Sequence, residues 1–583
     1  MPSPTIHPLG KKARVLLSSV FGPFAQDDNY GSRKNNPMEL YQNQVTRVQG
    51  VYSLRMFHRS FGLMLIKENI EAPCTLLDFP DLARFKDEIK NTPYDIIGIS
   101  SILPNIGKVQ KMCELIREYQ PGATIVVGGH IANKEGLADI ISADHIVQGE
   151  GVRWFRTFLG LDPEKPIKHP AVISGFKTRI LGHTLQDKPG DTAAMLIPSV
   201  GCPLGCNFCS TSALFGGKGK SVNFFETGDE LFAEMERLER KLQVNSFFIM
   251  DENFLFHRKR ALRLLELMEA HDKSWALNVF SSARVLKSYT MEQLIGLGIG
   301  WVWMGLEGNQ SKYAKLSGID THALVADLQA NGIRVLGSSI IGLEEHTPEN
   351  IDAVINYAVS HETVFHQFML YTPIPGTPLY EQHRQAGTLL PETKMPIADT
   401  HGQYRFNYKH KHIPEGHEET YLLNAFHRDF ERNGPSLARL QRVLLVGWQK
   451  YKHHPQARIR KRFEFEVAGL KSTWAGAVWA MRKKYRHDRR LFAELSNLLQ
   501  AIYREFGWKA RLSAPVVGRF LMVTTRLEER RLANGWTLEP ECFYEQNRAA
   551  KKLASKPLTK TIPMPDKIHW TGGAPSPAGS LDA

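Results

Sequence analysis

The sequence is poor in cysteine and has no long hydrophobic run. Only six of its 583 residues are cysteine, and no window approaches the ~20 apolar residues that a membrane-spanning helix needs. The first twenty residues also lack the apolar core of a signal peptide. These absences argue against a disulfide-stabilised secreted fold, and we expect a cytoplasmic protein of a reducing compartment.

The chain shows no internal repeat, and its composition, 42% hydrophobic and 23% charged, is ordinary for a globular protein. Its length predicts about three or four domains. Residues 1–170 alternate strand-like runs such as ARVLLSSV, YDIIGISSIL and ATIVVGGH with helical periodicity, most clearly in NIGKVQKMCELIREYQPG. Such alternation predicts an α/β fold that begins with a doubly wound parallel sheet.

A second series of alternating segments follows. Residues 171–192 contain turn-forming residues and are predicted as a linker. Residues 193–400 contain six strand-like segments separated by helical ones, which is typical of a partial (βα)6 barrel with functional residues at the carboxyl ends of its strands. Residues 401–550 are predicted as a mostly helical domain, and residues 551–583, rich in Pro, Gly and Ser, as a disordered tail.

Half of the cysteines lie in one short loop. The stretch SVGCPLGCNFCSTS places Cys202, Cys206 and Cys209 at the spacing C-x3-C-x2-C, directly after the first predicted barrel strand. A structural zinc ion is one interpretation, but zinc prefers four ligands, usually as two pairs, and no second Cys or His pair accompanies the loop. Three thiolates suit an iron–sulfur cluster that leaves one iron open, and we favour that interpretation.

The cysteine spacing, with Phe208 before the last cysteine, resembles that of the radical S-adenosylmethionine enzymes. Further motifs of that family follow in order at predicted strand ends: MDEN, FSSAR, MGLEG, SSIIG and TPIPGTPLY. The resemblance covers about residues 190–390 and implies a 4Fe–4S cluster on the three cysteines. It also implies an S-adenosylmethionine site formed by Phe208, Asp251, Glu252, Asn253, Ser282, Arg284, Glu307 and Gly342.

The resemblance assigns parts of that site to individual residues. The MDEN segment accepts hydrogen bonds from the methionine ammonium group, Ser282 and Arg284 reach the carboxylate or ribose, and Glu307 lies near the ribose. Gly342 lets the backbone lie against the adenine. The resemblance further implies that the cluster receives an electron from a donor such as flavodoxin or ferredoxin. The reduced cluster then cleaves S-adenosylmethionine to a deoxyadenosyl radical, which abstracts hydrogen from unactivated C–H bonds.

Motifs in the first predicted domain resemble those of cobalamin-binding domains, which precede many radical enzymes. ISSILPN, VVGGH and QGEG imply a cobalamin site formed by Ser101, Leu103, Gly128, Gly129 and Glu150. Cobalamin domains often carry D-x-H-x-x-G, whose histidine ligates cobalt, but residues 18–41 contain no histidine and His58 has a different context. Two alternatives remain: a cobalt without a protein imidazole ligand, or a vestigial domain that only shapes the pocket.

The positive charge is concentrated near the C-terminal end. The net charge of +13 includes +12 between Arg439 and Arg490, a stretch with fifteen Lys or Arg and three Asp or Glu. Such an excess predicts an anionic partner, either phospholipid headgroups or nucleic acid. Nucleic acid is not expected because no binding module for it is recognisable. A membrane surface is favoured because apolar, Trp and basic positions share the same helices.

One helical face in this region carries both features. The face consists of Val467, Leu470, Trp474, Val478 and Met481, which recur at helical spacing before a dense run of Lys and Arg. Two interpretations are open: the face packs against the rest of the protein, or it contacts a membrane as an interfacial element.

Together these motifs predict a cobalamin-dependent radical enzyme that transfers a methyl group from S-adenosylmethionine to an unactivated carbon of a hydrophobic substrate, either a lipid or a natural product. Two alternatives stay open. One is a radical enzyme that performs ring closure, C–C coupling or oxidation without methyl transfer. The other is a sensor or scaffold that binds the cluster and cobalamin without catalysis. The sequence assigns no general acid or base, no individual substrate and no oligomeric state.

Overall fold

The N-terminal part of the chain forms a doubly wound sheet, as predicted. The computed structural model describes residues 4–24, 29–32, 44–186, 192–308, 313 and 315–546. The first elements are β1 (Val15–Ser19), β2 (Leu54–His58), α1 (Phe61–Asn69), β3 (Cys74–Asp78), α2 (Leu82–Asn91), β4 (Ile96–Ser100), α3 (Ile106–Tyr119), β5 (Thr124–Gly128), β6 (His145–Val147) and α4 (Gly151–Phe158). The parallel strands lie in the order β3-β1-β4-β5-β6.

Hydrophobic cores cover both faces of this sheet. Strands buried on both faces read as continuous apolar runs, which is why ARVLLSSV and ATIVVGGH were recognisable as strands. Helix α3 confirms the periodicity of its sequence, since Val109, Met112, Cys113 and Ile116 are all buried. The strand order reverses between β1 and β4, and ligands of such sheets bind beyond the carboxyl ends of the strands at this point.

The central part of the chain forms a sheet whose six parallel strands follow the order of the sequence, β9-β12-β13-β14-β15-β16. Its elements, with the short strands around them, are β7 (Gly175–Ile180), β8 (His183–Thr184), β9 (Ala194–Leu196), β10 (Ser199–Val200), α5 (Ser210–Leu214), β11 (Val222–Asn223), α6 (Gly228–Leu242), β12 (Ser246–Ile249), α7 (Arg258–Ala270), β13 (Ala276–Ser281), α8 (Ala283–Leu286), α9 (Met291–Gly296), β14 (Ile299–Glu307), α10 (Thr321–Ala330), β15 (Arg334–Ile341), α11 (Ile351–Val359), β16 (Phe365–Leu370) and α12 (Pro378–Gln385). This arrangement is the partial (βα)6 barrel that the sequence predicted.

The segment predicted as a linker holds regular structure. Strands β7 and β8 lie within it and form a three-stranded antiparallel sheet with β2. Gly175 permits this pairing because a Cβ at its position would lie 2.2 Å from the sulfur of Met56 on β2. The partner strand is more than a hundred residues away in the sequence, so local turn signals could not indicate it.

The C-terminal part is mostly helical, as predicted, and returns to the first sheet. Its elements are α13 (Glu418–Asn433), α14 (Ser436–Tyr451), α15 (Ala457–Val467), α16 (Thr473–Lys484), α17 (Arg489–Ala533) and β17 (Phe543–Glu545). Strand β17 pairs antiparallel with β3. Across the described ranges, no helix combines the length and apolarity that crossing a bilayer requires. The predicted tail, residues 551–583, lies outside the described residues.

The apolar face that was a candidate membrane element packs inside the protein. Val467, Leu470, Val478 and Met481 are fully buried, and Trp474 packs against the same cluster. This cluster joins α16 to α17. The packing interpretation of this face is therefore confirmed: its four buried residues have no surface to offer a membrane, and Trp474 is half-buried against the same cluster.

A buried ionic cluster fastens α15 to the amino-terminal end of the barrel. The Glu466 carboxylate forms ion pairs with Arg334, the first residue of β15, and with Arg462, at 3.0 Å in the second case. Arg334 also donates to the carbonyl of Gly300, at 2.6 Å, and Arg462 to that of Ile299, at 2.8 Å. Each of the three charged side chains is at most 9% exposed. Glu466 thus balances two buried guanidinium groups.

Removal of the Glu466 carboxylate should destabilise the fold strongly. Glu466→Ala leaves two buried cations without their anion, a loss of about 3–5 kcal/mol for a broken buried pair. Glu464→Ala on the same helix is the matched control, because the Glu464 side chain is 63% exposed in its pair with Lys471. Thermal unfolding measures the difference. A melting temperature no lower for the first variant than for the second would contradict the role of the cluster.

Candidate active site

Backbone turns fold the cysteine loop into a compact unit. The amide of Gly205 donates to the carbonyl of Cys202, at 3.3 Å, and the amide of Cys209 donates to that of Cys206, at 3.0 Å. Gly205 has a φ of +59°, and a Cβ there would lie 2.5 Å from the Cα of Lys218. Glycine is therefore required at this turn, both by its conformation and by the neighbouring chain.

Helix α5 begins directly at the third cysteine. The Cys209 sulfur accepts a hydrogen bond from the amide of Ser212, at 3.4 Å, so the thiol caps the helix. The Ser212 hydroxyl donates back to the carbonyl of Cys202, at 3.0 Å. These two bonds join the ends of the cysteine loop, and all three thiols are half-buried.

The thiols are arranged for a ligand that can deprotonate them. Burial raises the pKa of Cys202 to about 11. Burial also raises the pKa values of Cys206 and Cys209, although the nearby positive charge of Lys315 lowers both. Metal ions bind thiolates and deprotonate a coordinating thiol outright. A soft donor set of three cysteines on one loop therefore fits an iron–sulfur cluster.

Within the described ranges, no group of three or more Cys, His, Asp or Glu side chains converges on a point that could hold a single metal ion.

Asp251, at the end of β12, is a structural carboxylate. It forms a buried ion pair with Arg260, at 2.8 Å, and accepts hydrogen bonds from the hydroxyl of Ser199 and from the amide of Asn253, at 3.0 Å for the amide. Ser199 lies on β10, immediately before the cysteine loop. Asp251 therefore ties the loop to the second barrel strand, and its oxygens are already engaged.

The neighbouring Glu252 is half-buried, and its carboxylate is incompletely bonded. In the described part of the chain its Oε2 atom has no hydrogen-bond partner. Burial and the adjacent charge of Asp251 raise the pKa of Glu252 to about 7, while the amide of Gly201, next to the first cysteine, opposes this rise. An unpartnered carboxylate oxygen beside the cysteine loop fits the ammonium group of S-adenosylmethionine, since buried polar atoms otherwise find partners.

The remaining residues of the MDEN and FSSAR motifs differ in exposure. Asn253 is buried and bonded to two serines of the third strand end: it accepts from Ser281, at 3.1 Å, and donates to Ser282, at 3.4 Å. The side chain of Arg284 is exposed. Its backbone amide donates to the carbonyl of Lys315, at 3.1 Å. The structure thus brings Asn253 and Ser282 together and leaves the Arg284 guanidinium towards solvent.

Glu307, at the end of β14, has a left-handed backbone conformation, and its carboxylate lies beside Gly305 of the same strand. Its φ is +49°, and its carboxylate forms a buried ion pair with Lys315. A Cβ on Gly305 would lie 2.5 Å from a Glu307 carboxylate oxygen and 2.9 Å from the Lys315 nitrogen. A side chain at Gly305, the first glycine of MGLEG, would therefore collide with this ion pair. Burial alone lowers the pKa of Lys315, but Glu307 and Cys206 outweigh it and the pKa is raised.

An aromatic group lies against the cysteine loop. The ring of Phe208 makes edge contacts with those of Tyr313 and Tyr371, with centroids 5.1 and 6.2 Å apart. Asn207 bonds both tyrosine hydroxyls, accepting from Tyr313 at 3.0 Å and donating to Tyr371 at 3.2 Å. Lys315, 5.4 Å from the Phe208 ring, was missed by sequence reasoning together with Asn207 and Tyr313. Asn207 could have been found from its place between two cysteines, whereas no local signal marks the others.

Gly342, at the end of the fifth strand, contacts protein rather than open space. Its φ is +85°, and a Cβ there would lie 2.2 Å from the ring of Phe406. Its carbonyl accepts a hydrogen bond from Tyr408, at 3.2 Å. The need for glycine is therefore explained by packing, and contact of Gly342 with adenine stays a prediction.

The predicted cobalamin residues collect at the carboxyl edge of the first sheet. Ser101, just after β4, donates its amide to the carbonyl of Gly128, at 3.1 Å. Gly129 has a φ of +86°, and a Cβ there would lie 2.5 Å from the carbonyl oxygen of Ser101. Leu103 is buried at the start of the turn before α3. Ser101 and the two glycines thus form one close backbone contact between the carboxyl ends of β4 and β5, beside the switch point.

Two other residues have roles within the fold. Glu150 caps α4 by accepting from the amide of Arg153, at 2.9 Å, and burial raises its pKa. His58 hydrogen-bonds the carbonyl of Ser174, at 2.8 Å, and its ring stacks on Phe248 with centroids 5.5 Å apart. These contacts account for both residues, and binding of cobalamin by Glu150 stays a prediction.

The two halves of the site adjoin. A short turn, His130–Asn133, follows Gly129 directly, and the His130 ring lies 3.1 Å from the hydroxyl of Thr211 in α5. Asn133 donates to the carbonyl of Ser210, at 3.4 Å, immediately after the third cysteine. The carboxyl edge of the first sheet is therefore in direct contact with the cysteine loop of the barrel.

Comparison with known families matches the first sheet and the barrel to two separate domain families. Residues 55–159 match the model of the B12-binding domain, and residues 196–358 match that of the radical SAM superfamily. Together these matches assign cobalamin to the first sheet, and a 4Fe–4S cluster and S-adenosylmethionine to the barrel.

Individual relatives are distant. An uncharacterized methyltransferase of Pyrococcus horikoshii is 25% identical over 344 residues, which span 52% of this chain and 72% of that protein. The bacteriochlorophyllide d C-8(2)-methyltransferase of Chlorobaculum tepidum is 24% identical over 368 residues, spanning 57% of this chain and 77% of that protein. The solved structure of the radical S-adenosylmethionine methyltransferase TsrM from Kitasatospora setae aligns with a TM-score of 0.46 and 15% identity, covering 78% of this chain and 99% of that one.

The matched ranges coincide with the two contacting halves of the site, one at the edge of the doubly wound sheet and one at the cysteine loop. The chain therefore contains a B12-binding domain followed by a radical SAM domain, the domain order of the enzymes that its motifs resemble.

Proposed function

We propose that the protein transfers a methyl group from S-adenosylmethionine to an unactivated carbon of a hydrophobic substrate, in a cobalamin-dependent radical reaction. The observation that carries this proposal is the direct contact between His130 and Thr211, which joins the edge of the B12-binding domain to the cysteine loop. Methyl transfer through both cofactors requires a substrate carbon within reach of each of them. A B12-binding domain packed on the cluster loop supplies that arrangement.

The chain's own residues divide the work of binding. Cys202, Cys206 and Cys209 hold the cluster, and Glu252 receives the ammonium group of S-adenosylmethionine. Glu307, which is held by Lys315, would bind the ribose hydroxyls. The cluster, S-adenosylmethionine and cobalamin, when bound, supply electron transfer, hydrogen abstraction and methyl transfer, chemistry that no side chain provides.

The substrate class follows from the relatives and the charge distribution. Two relatives are named as a bacteriochlorophyllide d methyltransferase and a hopanoid methylase, and this chain concentrates positive charge in its C-terminal helices. Both observations favour a substrate that is stored in or beside an anionic membrane, with peripheral contact of the C-terminal domain. An external one-electron donor such as flavodoxin or ferredoxin completes the system.

Products of S-adenosylmethionine test the proposed reaction. Under anaerobic conditions with a reductant, the protein reconstituted with iron, sulfide and cobalamin should form up to one equivalent of S-adenosylhomocysteine per cobalamin, because reduced cobalamin would be the acceptor of the methyl group when no substrate is added. Omission of cobalamin should abolish that product and leave 5′-deoxyadenosine. Quantification by liquid chromatography and mass spectrometry distinguishes the two. Formation of 5′-deoxyadenosine alone with cobalamin bound would indicate a radical reaction without methyl transfer, and formation of neither product would indicate a sensor or scaffold.

Loss of one loop cysteine should abolish cluster binding. Cys202→Ala leaves two thiols, too few to hold a cubane with one open iron. The expected result is loss of most bound iron and of the broad visible absorbance after anaerobic reconstitution, with the cobalamin band retained. Cys542→Ala is the matched control, since Cys542 is an exposed thiol far from the loop in sequence, and it should keep full iron content. Unchanged iron in Cys202→Ala, or tightly bound zinc in the native protein, would overturn the assignment.

Neutralisation of Glu252 should weaken S-adenosylmethionine binding. A hydrogen bond to a charged group contributes ~1.5–3 kcal/mol, so Glu252→Gln should raise the dissociation constant by about tenfold or more. Binding of S-adenosylmethionine to the reconstituted protein is measured by calorimetry, with iron content checked in the same samples. Glu226→Gln, at an exposed position, should bind normally. Equal affinity in both variants would show that Glu252 does not receive the ammonium group.

A further inference from the structure

The second half of α17 presents large apolar side chains to solvent. The helix is interrupted at Gly507, with φ +69°, and continues over residues 508–533. Six of the twelve exposed large apolar side chains in the described ranges lie here, with Trp508 at 68% and Val516 at 66% exposure. We call this set the α17 stripe; it consists of Trp508, Leu512, Val516, Phe520, Val523 and Leu527.

Helical geometry makes these six residues one continuous strip. Their spacing of three or four residues places them on the same side of the helix. At 1.5 Å rise per residue, the distance from Trp508 to Leu527 is about 28 Å. The hairpin β7–β8 lies beside the strip, where the ring of His183 contacts that of Phe520 with centroids 5.7 Å apart. The nearby Leu185, 37% exposed, is a further apolar residue of this surface.

Both faces of this helix segment carry apolar side chains. The inner face is built mainly from small residues, including Ala510, Ala514 and Gly518, which pack closely on α16. A Cβ on Gly518 would lie 2.4 Å from the ring of Trp479. On this inner side Leu521 is buried and Val517 and Met522 are partly buried, whereas the six large apolar residues of the α17 stripe lie on the outer face. A surface helix normally buries its large apolar side chains, so this helix is suited to a second, outer apolar contact.

Basic residues border the α17 stripe. The exposed charged residues between Trp508 and Arg531 are Lys509, Arg511, Arg519, Arg526, Glu529, Arg530 and Arg531. The single acidic residue among them, Glu529, is paired with Lys484 at 2.9 Å. A strip of Trp, Phe, Leu and Val with arginines along it matches a helix that lies in the interface of an anionic bilayer, with its apolar side chains in the acyl region and its basic side chains at the phosphates.

We propose that the α17 stripe docks the enzyme on the surface of an anionic phospholipid bilayer. The proposal deepens the peripheral contact suggested for the C-terminal domain and rests on that part of the proposed function, while it is independent of methyl transfer. The membrane contact is thereby assigned to the outer face of α17. The face around Val478, which the sequence offered as a candidate, is buried. The partner is recognised by two chemical features together, anionic phosphate groups and an apolar layer directly beneath them.

The charge of the surface argues against two other occupants. Residues 547–583 carry six Lys or Arg and two Asp, so this segment has the same sign of charge as the border of the stripe. A second copy of the chain would bring two arginine-rich borders together. Like charges at such distances repel, whereas a bilayer that contains anionic lipid attracts both the border and the neighbouring basic helices.

Vesicle sedimentation with the full chain tests the docking surface. The vesicles are phosphatidylcholine alone, or phosphatidylcholine with phosphatidylglycerol as about a third of the lipid. The native protein should sediment with the anionic vesicles and stay in solution with the neutral ones. Leu512→Gln with Val516→Gln should lower binding to anionic vesicles by about tenfold or more, because two exposed side chains no longer enter the acyl region. Arg519→Gln with Arg526→Gln should lower it by about tenfold, because two phosphate contacts are lost.

Matched substitutions elsewhere control for general changes in surface character. Ile6→Gln with Leu9→Gln removes two exposed apolar side chains from the N-terminal segment, and Arg240→Gln removes an exposed arginine from α6. Both controls should bind vesicles like the native protein. Unfolding temperature and iron content after reconstitution should be unchanged in every variant, which separates docking from folding and from cofactor binding.

Three outcomes would overturn the proposal: no sedimentation of the native protein with anionic vesicles, equal loss in the control variants, or a dimer in light scattering that Leu512→Gln with Val516→Gln converts to a monomer. The last result would assign the stripe to a second copy of the chain. Formation of S-adenosylhomocysteine is measured in the same samples without vesicles. Failure of docking with normal product formation, or the reverse, therefore separates this proposal from the proposed reaction.

Discussion

Burial of three thiols on one loop is the constraint on which the active site depends. In that environment the pKa values of Cys202, Cys206 and Cys209 are raised, so the loop alone favours the protonated thiols, which bind metal poorly. The charge of a bound metal must offset this cost, and metal binding is therefore coupled to the geometry of the loop. The hydrogen bonds of Ser212 and the turn at Gly205 keep that geometry in place before the metal arrives.

The same reasoning separates structural carboxylates from those available to a ligand. A buried charge is stable only when it is paired or hydrogen-bonded. Asp251 satisfies this condition through Arg260, and Glu307 through Lys315. Glu252 does not, since one of its oxygens lacks a protein partner in the described part of the chain. Among the three acidic residues that the motifs predict for the S-adenosylmethionine site, Glu252 is thus the one with an unbonded oxygen that a cationic ligand would complete.

Local patterns in the sequence were sufficient for the two parallel sheets and for the cysteine loop, but not for strands β7 and β8. Strands buried on both faces and the periodicity of α3 are properties of contiguous residues, and the spacing of three cysteines is as well. Lys315 and Tyr313 could not be predicted because their contacts with the loop arise from tertiary packing. Periodicity also shows that a helical face is apolar without showing what covers it. For that reason the face with Val478 was a candidate for membrane contact although it is buried, and the exposed face with Val516 was not recognised.

The proposed docking surface is connected to both cofactor domains by specific contacts. Glu528, on the inner side of α17, forms a buried ion pair with Arg179 of β7, at 2.7 Å, and β7 pairs with β2 at the edge of the B12-binding domain. Strand β17, which follows α17, extends the sheet of that domain next to β3. Because each connection is a strand pairing or a buried ion pair, an orientation that a membrane imposes on α17 is transmitted to the B12-binding domain, and through His130 and Thr211 to the cysteine loop.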